Sequence, residues 1–559
     1  MSPSVPILTV VALLSVMNGS AQEWQWTKGF GAEMNNDHAR IAKDTIGNYY
    51  LGGWFASTAF GQDTVAGVNV FVKLNEAGEP VWARNPEETG NVHCTGYSTA
   101  PAPFVAAHPS GTAVFVVGEI CGDFLFGSHA ISEHGNGTQL FLARYDPNGD
   151  CAWVKTFGGS QDDHVGRFES TPSGDLLLTY AGSAMTVDGI AVQAGESILK
   201  FDSAGTCQWA AALPPYTEGG SFYFSPVEDG IYLTGRAAVG FSGPLVLDTV
   251  SVDVSTKKFV VSKYNYDGHA LWGKSHGENM IQGVGVYASS ANASGALIVG
   301  RLESDSLAFG SDTIYAPDQM FLVRYDANGN YIWSRTTASN FGDWLFPFQI
   351  VMGSLGDEYI LGELESTPPD PTLEIAGCTA VFSQYPHDGV FVIHLDGDGN
   401  CIQLFNQRTN SYLGPTPAAN RWSIVLDTNE QPVICGQFLG TVAFTSTTLS
   451  TSGNEYDVYV GKLDALTGVN DPRAPEGHDL LIYANPNQGS FRIKVPTALQ
   501  NERDLVLSVY DNSGRLVRAQ QLDMSGEDPR MDVFGVGPGL YTVTLSKDDR
   551  IYHGSMVVE

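Results

Sequence analysis

Residues 71–82 read FVKLNEAGEPVW and residues 141–153 read FLARYDPNGDCAW. Further copies are ILKFDSAGTCQW (198–209), VSKYNYDGHALW (261–272) and FLVRYDANGNYIW (321–333). FVIHLDGDGNCIQ (391–403) keeps the pattern with Gln403 in place of the tryptophan, and YVGKLDALTG (459–468) carries one extra turn residue. Each copy describes a β-hairpin: an alternating strand, a turn built on Asn or Asp and closed by Gly, and a return strand opening near the Trp. In the five full copies the Trp falls four residues after the glycine.

Two more strand signals precede each hairpin. In the first copy they lie near Ile41 and at NYYL (48–51), and later copies repeat the second as VFVVG, LLLTY, YILG and PVICG. Four antiparallel strands recurring about every 65 residues is the mark of a β-propeller blade. The seventh copy stops before its fourth strand, and WTKGF at 26–30 matches WVKTF at 153–157. The spacing therefore predicts an all-β protein: a seven-bladed β-propeller over 22–468, its last blade closed by an N-terminal strand at 24–28, followed by a small C-terminal β-sandwich. Closure by the two chain ends leaves no exposed sheet edge.

Composition agrees with that architecture. Charged residues make up 16% and Gly numbers 63 of 559, which suits short strands and tight turns rather than long helices or disorder. The balance of 29 basic to 61 acidic residues, −32 overall, disfavours a nucleic-acid partner, because phosphate contacts need clustered Lys and Arg. Residues 5–17 form an uncharged apolar run followed by NGSA, which reads as a signal peptide over 1–21, although no basic residue precedes Lys28. No later stretch is apolar enough to be a transmembrane segment. Among seven Cys, Cys94 and Cys121 fall in loops expected on one face of the same blade and form the candidate disulfide. Cys151, Cys207 and Cys401 share one repeat position and read as small apolar fillers.

The FGG…D…GN-Y-L-G…F-V-K-L…G…W rhythm resembles the SBBP-type seven-bladed propeller repeat of secreted bacterial proteins over 24–468. That resemblance implies a fold and is poor in functional information, since propellers host enzymes, binding modules and scaffolds alike. After a polar linker (469–479), residues 480–559 change pattern to short strands split by NPNQG, DNSG and GPG turns. This segment carries 8 basic and 10 acidic residues, so −2, leaving −30 on the rest. It resembles the type A C-terminal sorting domain of the type IX secretion system. The residues that carry the likeness are Asn485, Pro486 and Gly489 in the opening turn, Asp511 and Gly514 in a hairpin, Gly539 and Tyr541 in the G-x-Y-x-V strand, and Val557 and Val558 in the last strand. The resemblance implies the type IX machinery as a partner and a secreted or cell-surface, outer-membrane-attached destination after removal of the signal peptide and the tail.

Chemical signatures are sparse. The sequence contains no HExxH, GxSxG or P-loop, and its 12 His are scattered. Asp162-Asp163 beside His164 has the composition of an acid–base site, but Asp37-His38 and Asp343-Trp344 hold the same repeat position, which favours a structural role. The turns DPNGD, DANGN and DGDGN resemble the start of a calcium loop; lacking a Glu at the twelfth position they read as turn chemistry, and a structural calcium is the one metal left open. No cofactor is expected. The repeated basic residues on third and fourth strands read as ion pairs or as stems packed along Trp.

Loop length supplies the functional gradient. The second-to-third and fourth-to-first loops, including 85–103, 213–224, 340–348, the 362–390 insertion and 408–422, are long and aromatic. They nominate a ligand face with Tyr216, Tyr223, Trp344, Tyr385, Tyr412 and Trp422. The expectation is a non-enzymatic secreted or surface binding protein for a glycan or a protein. A polysaccharide-degrading enzyme using the same face and a structural surface-layer protein are the alternatives. A carboxylate pair at the loop mouth would favour the enzyme.

Overall fold

The structure, a computed structural model, describes residues 24–558 apart from connecting segments: chiefly 32–36, 91–102, 133–136, 214–221, 238–242, 278–283, 303–305, 340–344, 365–371, 382–388, 409–411, 414–422, 465–480, 484–488, 496–504, 512–515 and 523–528, with a few shorter gaps. The described residues are strands and turns, with no helix among them. The chain divides into two compact units, Met1–Gly468 and Val469–Glu559.

The first unit is a ring of seven antiparallel sheets. Blade one is Asp37–Lys43, Tyr49–Phe60, Asp63–Leu74 and Pro80–Arg84, hydrogen-bonded in that order. Blades two to six repeat the arrangement, their first strands being Phe104–Ala107, His164–Ser170, Phe222–Val227, Val284–Asn292 and Leu345–Met352. Blade seven combines Ser423–Leu426, Pro432–Leu439 and Asp457–Leu463 with the N-terminal strand Trp24–Phe30. Trp24 lies opposite Leu463 and Phe30 opposite Val458, antiparallel, so the two ends of the unit share one sheet. The first strands are neighbours in cyclic order, blade seven returning to blade one, and they enclose one axial channel.

What joins the blades is the Gly–Trp pair of the repeat, acting between copies rather than within one. Gly149 of blade two sits on the indole of Trp82 in blade one, Gly205 on Trp153, Gly268 on Trp209, Gly329 on Trp272, Gly399 on Trp333, and Gly78 on Trp26. Every one of these glycines has φ between +71° and +87°, the conformation the turn requires and a Cβ resists. The Nε1 of Trp82, Trp209 and Trp333 donates to a carbonyl of the next blade's turn, on Pro147, Tyr266 and Gly397 at 2.9–3.2 Å. Arg84, Lys155 and Arg335, two residues past each Trp, donate to the turn-glycine carbonyls of the following blade. Gln403 takes the tryptophan position before the blade whose turn has an extra residue.

In four blades the third-strand Lys or His pairs within its own blade, whereas Arg324 of blade five reaches Glu358 of blade six at 3.2 Å and Lys73 of blade one donates to the Pro147 carbonyl of blade two. Lys200 pairs with Asp175, Lys263 with Asp229, Lys462 with Asp427 and His394 with Asp357, in each case an acid of the first-to-second turn. The hairpin-turn acids bind backbone: Asp146 Oδ1 accepts from the N–H of Asn148 and Asp150, and Asp326 and Asp396 do the same in their copies. These carboxylates satisfy turn amides, as Asx turns do.

The second-to-third connections depart from the sequence expectation. Outside blade one, where the second and third strands simply extend together to Phe60 and Asp63, each carries its own two-stranded hairpin, for example Met185–Val187 with Ile190–Val192 and Thr372–Ile375 with Cys378–Val381. These hairpins fold back along the fourth strand instead of crowning the long-loop face. Asp188 at one tip accepts from the N–H of Cys207 and pairs with Lys155; Asp63 does the same for Ala83 and Arg84. The physical reason is the outer strand, whose unpaired edge gains a cover. Segment 362–390 is thus one instance of a general device.

This packing corrects the reading of Cys401 as a filler. It forms a disulfide with Cys378, Cα–Cα 5.7 Å, because the hairpin tip reaches the start of the fourth strand. Cys151, Cys207 and Cys435 are not disulfide-bonded. Cys121 is disulfide-bonded, and Cys94 lies outside the described residues.

The second unit contains a three-stranded sheet (Leu481–Tyr483, Ser490–Lys494, Arg530–Asp532) and a four-stranded one (Leu516–Leu522, Leu505–Asp511, Gly539–Lys547, Arg550–Val558). Their inner faces share one core that includes Phe491, Ile493, Leu507, Val543 and Met556. Tyr541 and Val558 belong to this core, and the Tyr541 hydroxyl donates to the Gly537 carbonyl at 2.8 Å. Gly489 opens the second strand with φ +87° and accepts from Val533 N–H; Asp511 lies opposite Tyr541; Gly539 pairs with Val558 and Val557 with Leu540. Asn485, Pro486 and Gly514 lie outside the described residues.

Candidate functional site

The axial channel is lined by the first strands of all seven blades and has a volume of about 470 Å³, within the range of small-molecule clefts. Side chains alternate between the two faces of each blade, so residues two apart on a first strand share a face and lie at successive levels along the channel. Arg40, Phe104, Arg167, Tyr223 and Gln349 occupy one level: each lies opposite the same position of its second strand (Gly52, Val117, Thr179, Thr234 and Leu361). This level belongs to the end of the channel fed by the fourth-to-first loops. Two residues further along sit Glu169, Ser225 and Ser290, opposite Leu177, Tyr232 and Leu297.

Two guanidinium–aromatic stacks shape that end. Arg40 lies 3.3 Å from the Phe104 ring centroid and Arg167 4.6 Å from that of Tyr223, distances at which the ring face attracts the cation. Both rings are buried while both arginines keep partial access to the channel. Arg167 Nε reaches Glu169 Oε1 on its own strand at 3.9 Å, a long pair, and its Nη1 has no hydrogen-bond partner. The Glu169 side chain is 38% exposed to channel water. Confinement by the surrounding ring pushes its carboxyl up to about 6, with Arg167 pulling the other way. Gln349 Oε1 is committed to the Ile424 N–H. Lys43, at the far end of its strand, donates to the Asp427 carbonyl.

Of the aromatic residues nominated from sequence, Tyr223 is described with its side chain. It is buried in the channel wall rather than displayed on a loop, its hydroxyl donating to the Val286 carbonyl. Tyr412 falls on the short strand Tyr412–Leu413, opposite Leu439. Tyr216, Trp344, Tyr385 and Trp422 lie outside the described residues. Sequence reading missed Arg40 and Arg167, which share one first-strand position in blades one and three, because other copies carry Phe104, Tyr223 or Gln349 there and the position shows no repeat signature.

The acid pair beside His164 has a different use. Asp163 is fully buried and accepts from Gly159 N–H, Ser183 N–H and the Tyr180 hydroxyl, while Asp162 accepts from Thr138 N–H. Together they clamp the loop between blades two and three. His164 meets buried Glu119 of blade two at 3.1 Å, and that hydrogen bond raises the imidazole above its ordinary value. Among the described residues no three His, Cys, Asp or Glu side chains converge as a metal site.

Residues 481–559 match the secretion system C-terminal sorting domain. No curated protein matches the chain. Solved structures similar to it include a protein of unknown function from Dyadobacter fermentans, at 12% identity over 78% of this chain and 99% of that one, TM-score 0.34. The phage phi92 endosialidase is similar at 9% identity over 95% and 87%, TM-score 0.35. An ulvan lyase of polysaccharide lyase family PL25 is similar at 11% over 73% and 93%, TM-score 0.36. The sorting domain directs export by type IX secretion to the cell surface or beyond.

Proposed function

We propose that this exported propeller is a non-enzymatic binding protein whose ligand, a glycan or a protein, seats at the channel end ringed by the fourth-to-first loops. The observation that carries the reading is the pair of Arg–aromatic stacks, Arg40–Phe104 and Arg167–Tyr223, held at one level of a rigid ring. Such stacks hold each guanidinium in place, so little side-chain freedom is lost on binding. Paired-carboxylate hydrolysis needs a second acid about 5–10 Å from the first; among the described channel residues Glu169 is the one carboxylate. The loop aromatic residues nominated from the sequence, Tyr216, Trp344, Tyr385, Tyr412 and Trp422, are carried in this proposal as further candidate ligand contacts.

In the same reading the repeats are of SBBP type, the segment 1–21 is removed as a signal peptide, and the tail is removed after it has engaged the type IX machinery. A glycan array, a proteomic pull-down and a polysaccharide-hydrolysis screen on the purified full chain test the proposal. Saturable binding without turnover is expected. Release of reducing ends, abolished by Glu169→Gln, would transfer the site to the enzymes.

A further inference from the structure

We infer that the Arg40–Arg167 end of the channel binds the carboxylate of an acidic sugar unit, a specification that rests on the binding reading above. Guanidinium groups present planar forks of donors that match a carboxylate, and each is already oriented by an aromatic ring on the adjacent blade. The long contact of Arg167 with Glu169, 3.9 Å, leaves the guanidinium charge incompletely matched.

The second level explains why the carboxylate belongs to a sugar. Ser225 and Ser290 line the channel two residues along from the arginine level. That is about 7 Å at the rise of a β-strand, the span of one pyranose ring. A carboxylate on Arg167 therefore places ring hydroxyls among two serine hydroxyls and Glu169, which accepts hydrogen bonds from them.

Charge limits the ligand further. The propeller and its flanking segments carry −30 in all, so two arginines form a positive island in a negative surface. A single anionic group gains from such an island, whereas a polyanion is repelled by everything around it. The site thus fits one terminal or isolated acidic unit, free or at the end of a chain.

Titration of the full-length protein with D-glucuronate, D-glucose and N-acetylglycine, by calorimetry at pH 7 and low salt, tests the assignment. Glucuronate is expected to bind at least about tenfold more tightly than glucose, which lacks the charge-assisted contact. Arg167→Gln should weaken glucuronate by about tenfold or more, and Glu169→Gln should tighten it several-fold by removing the nearby negative charge. That gain is a result no folding defect can imitate. Equal binding of glucose, equal binding of N-acetylglycine, indifference to Arg167→Gln, or no saturable glucuronate binding would each overturn the inference. A neutral glycan or a protein captured by the same preparation would leave the general binding reading standing while this one falls.

Discussion

The inter-blade contact between Gly149 and Trp82 makes a quantitative demand. Gly149 and Gly189 both have φ +84°. A Cβ built on Gly189 meets nothing within 4 Å, whereas one on Gly149 lies 2.8 Å from Trp82 Cδ2 and 3.1 Å from Cε2 and Cγ. Gly189→Ala therefore measures left-handed backbone strain alone, about 1–2 kcal/mol. Gly149→Ala adds overpacking of about 1–3 kcal/mol. Trp82 cannot retreat cheaply: it is buried, its Nε1 donates to Pro147 O at 3.0 Å, and it packs against Phe71. Urea unfolding followed by circular dichroism, with the slope checked for constancy, should thus place Gly149→Ala below Gly189→Ala by about 1–3 kcal/mol. Adding Trp82→Leu to both should erase the difference, a coupling that a double-mutant cycle isolates. If the two alanine variants are equally stable, or if Trp82→Leu leaves their gap intact, the stacking explanation of the repeat is wrong.

Four further outcomes are expected. Ile190 occupies in its hairpin the place Cys378 holds in blade six, so Ile190→Cys should form a disulfide with Cys207, detected by non-reducing peptide mapping. Trp24→Ala should loosen the ring closure by about 3–5 kcal/mol, since the indole is buried edge-on among Phe405, Phe444 and Tyr459; urea unfolding reads it, and a loss under 1 kcal/mol would contradict the clasp. Burial against Tyr325 drops His276 to about 4, outweighing the hydrogen bond to the Gly329 carbonyl at 3.1 Å, which acts the other way. The unfolded chain then binds that proton more readily, so stability falls as pH drops from about 6.5 towards 4, and His276→Gln should flatten this limb of a pH–stability curve. Truncation after residue 468 should leave the ring folded, because its last blade is completed by the N-terminal strand Trp24–Phe30, while cell fractionation finds export abolished.

The architecture was legible because each blade is local: strand alternation, Asx-Gly turns and a period near 65 residues are written in consecutive residues, and the unmatched WTKGF implied a partner for Asp457–Leu463. The tail was legible for the same reason, although Arg530–Asp532 is too short to announce itself. What the sequence alone could not assign was the partner of each repeated side chain. The Trp four residues after a glycine looks like a feature of one hairpin, yet it packs on the glycine of the next, as Trp82 does on Gly149 and Trp153 on Gly205. Nothing in the spacing distinguishes those cases, because the contact is made across blades and its register depends on how twisted sheets stack around the axis. The folded-back hairpins, the Cys378–Cys401 bond and the shared level of Arg40 and Arg167 arise likewise from tertiary placement. Local chemistry determined the strands and turns; only closure of the ring decided which of them meet.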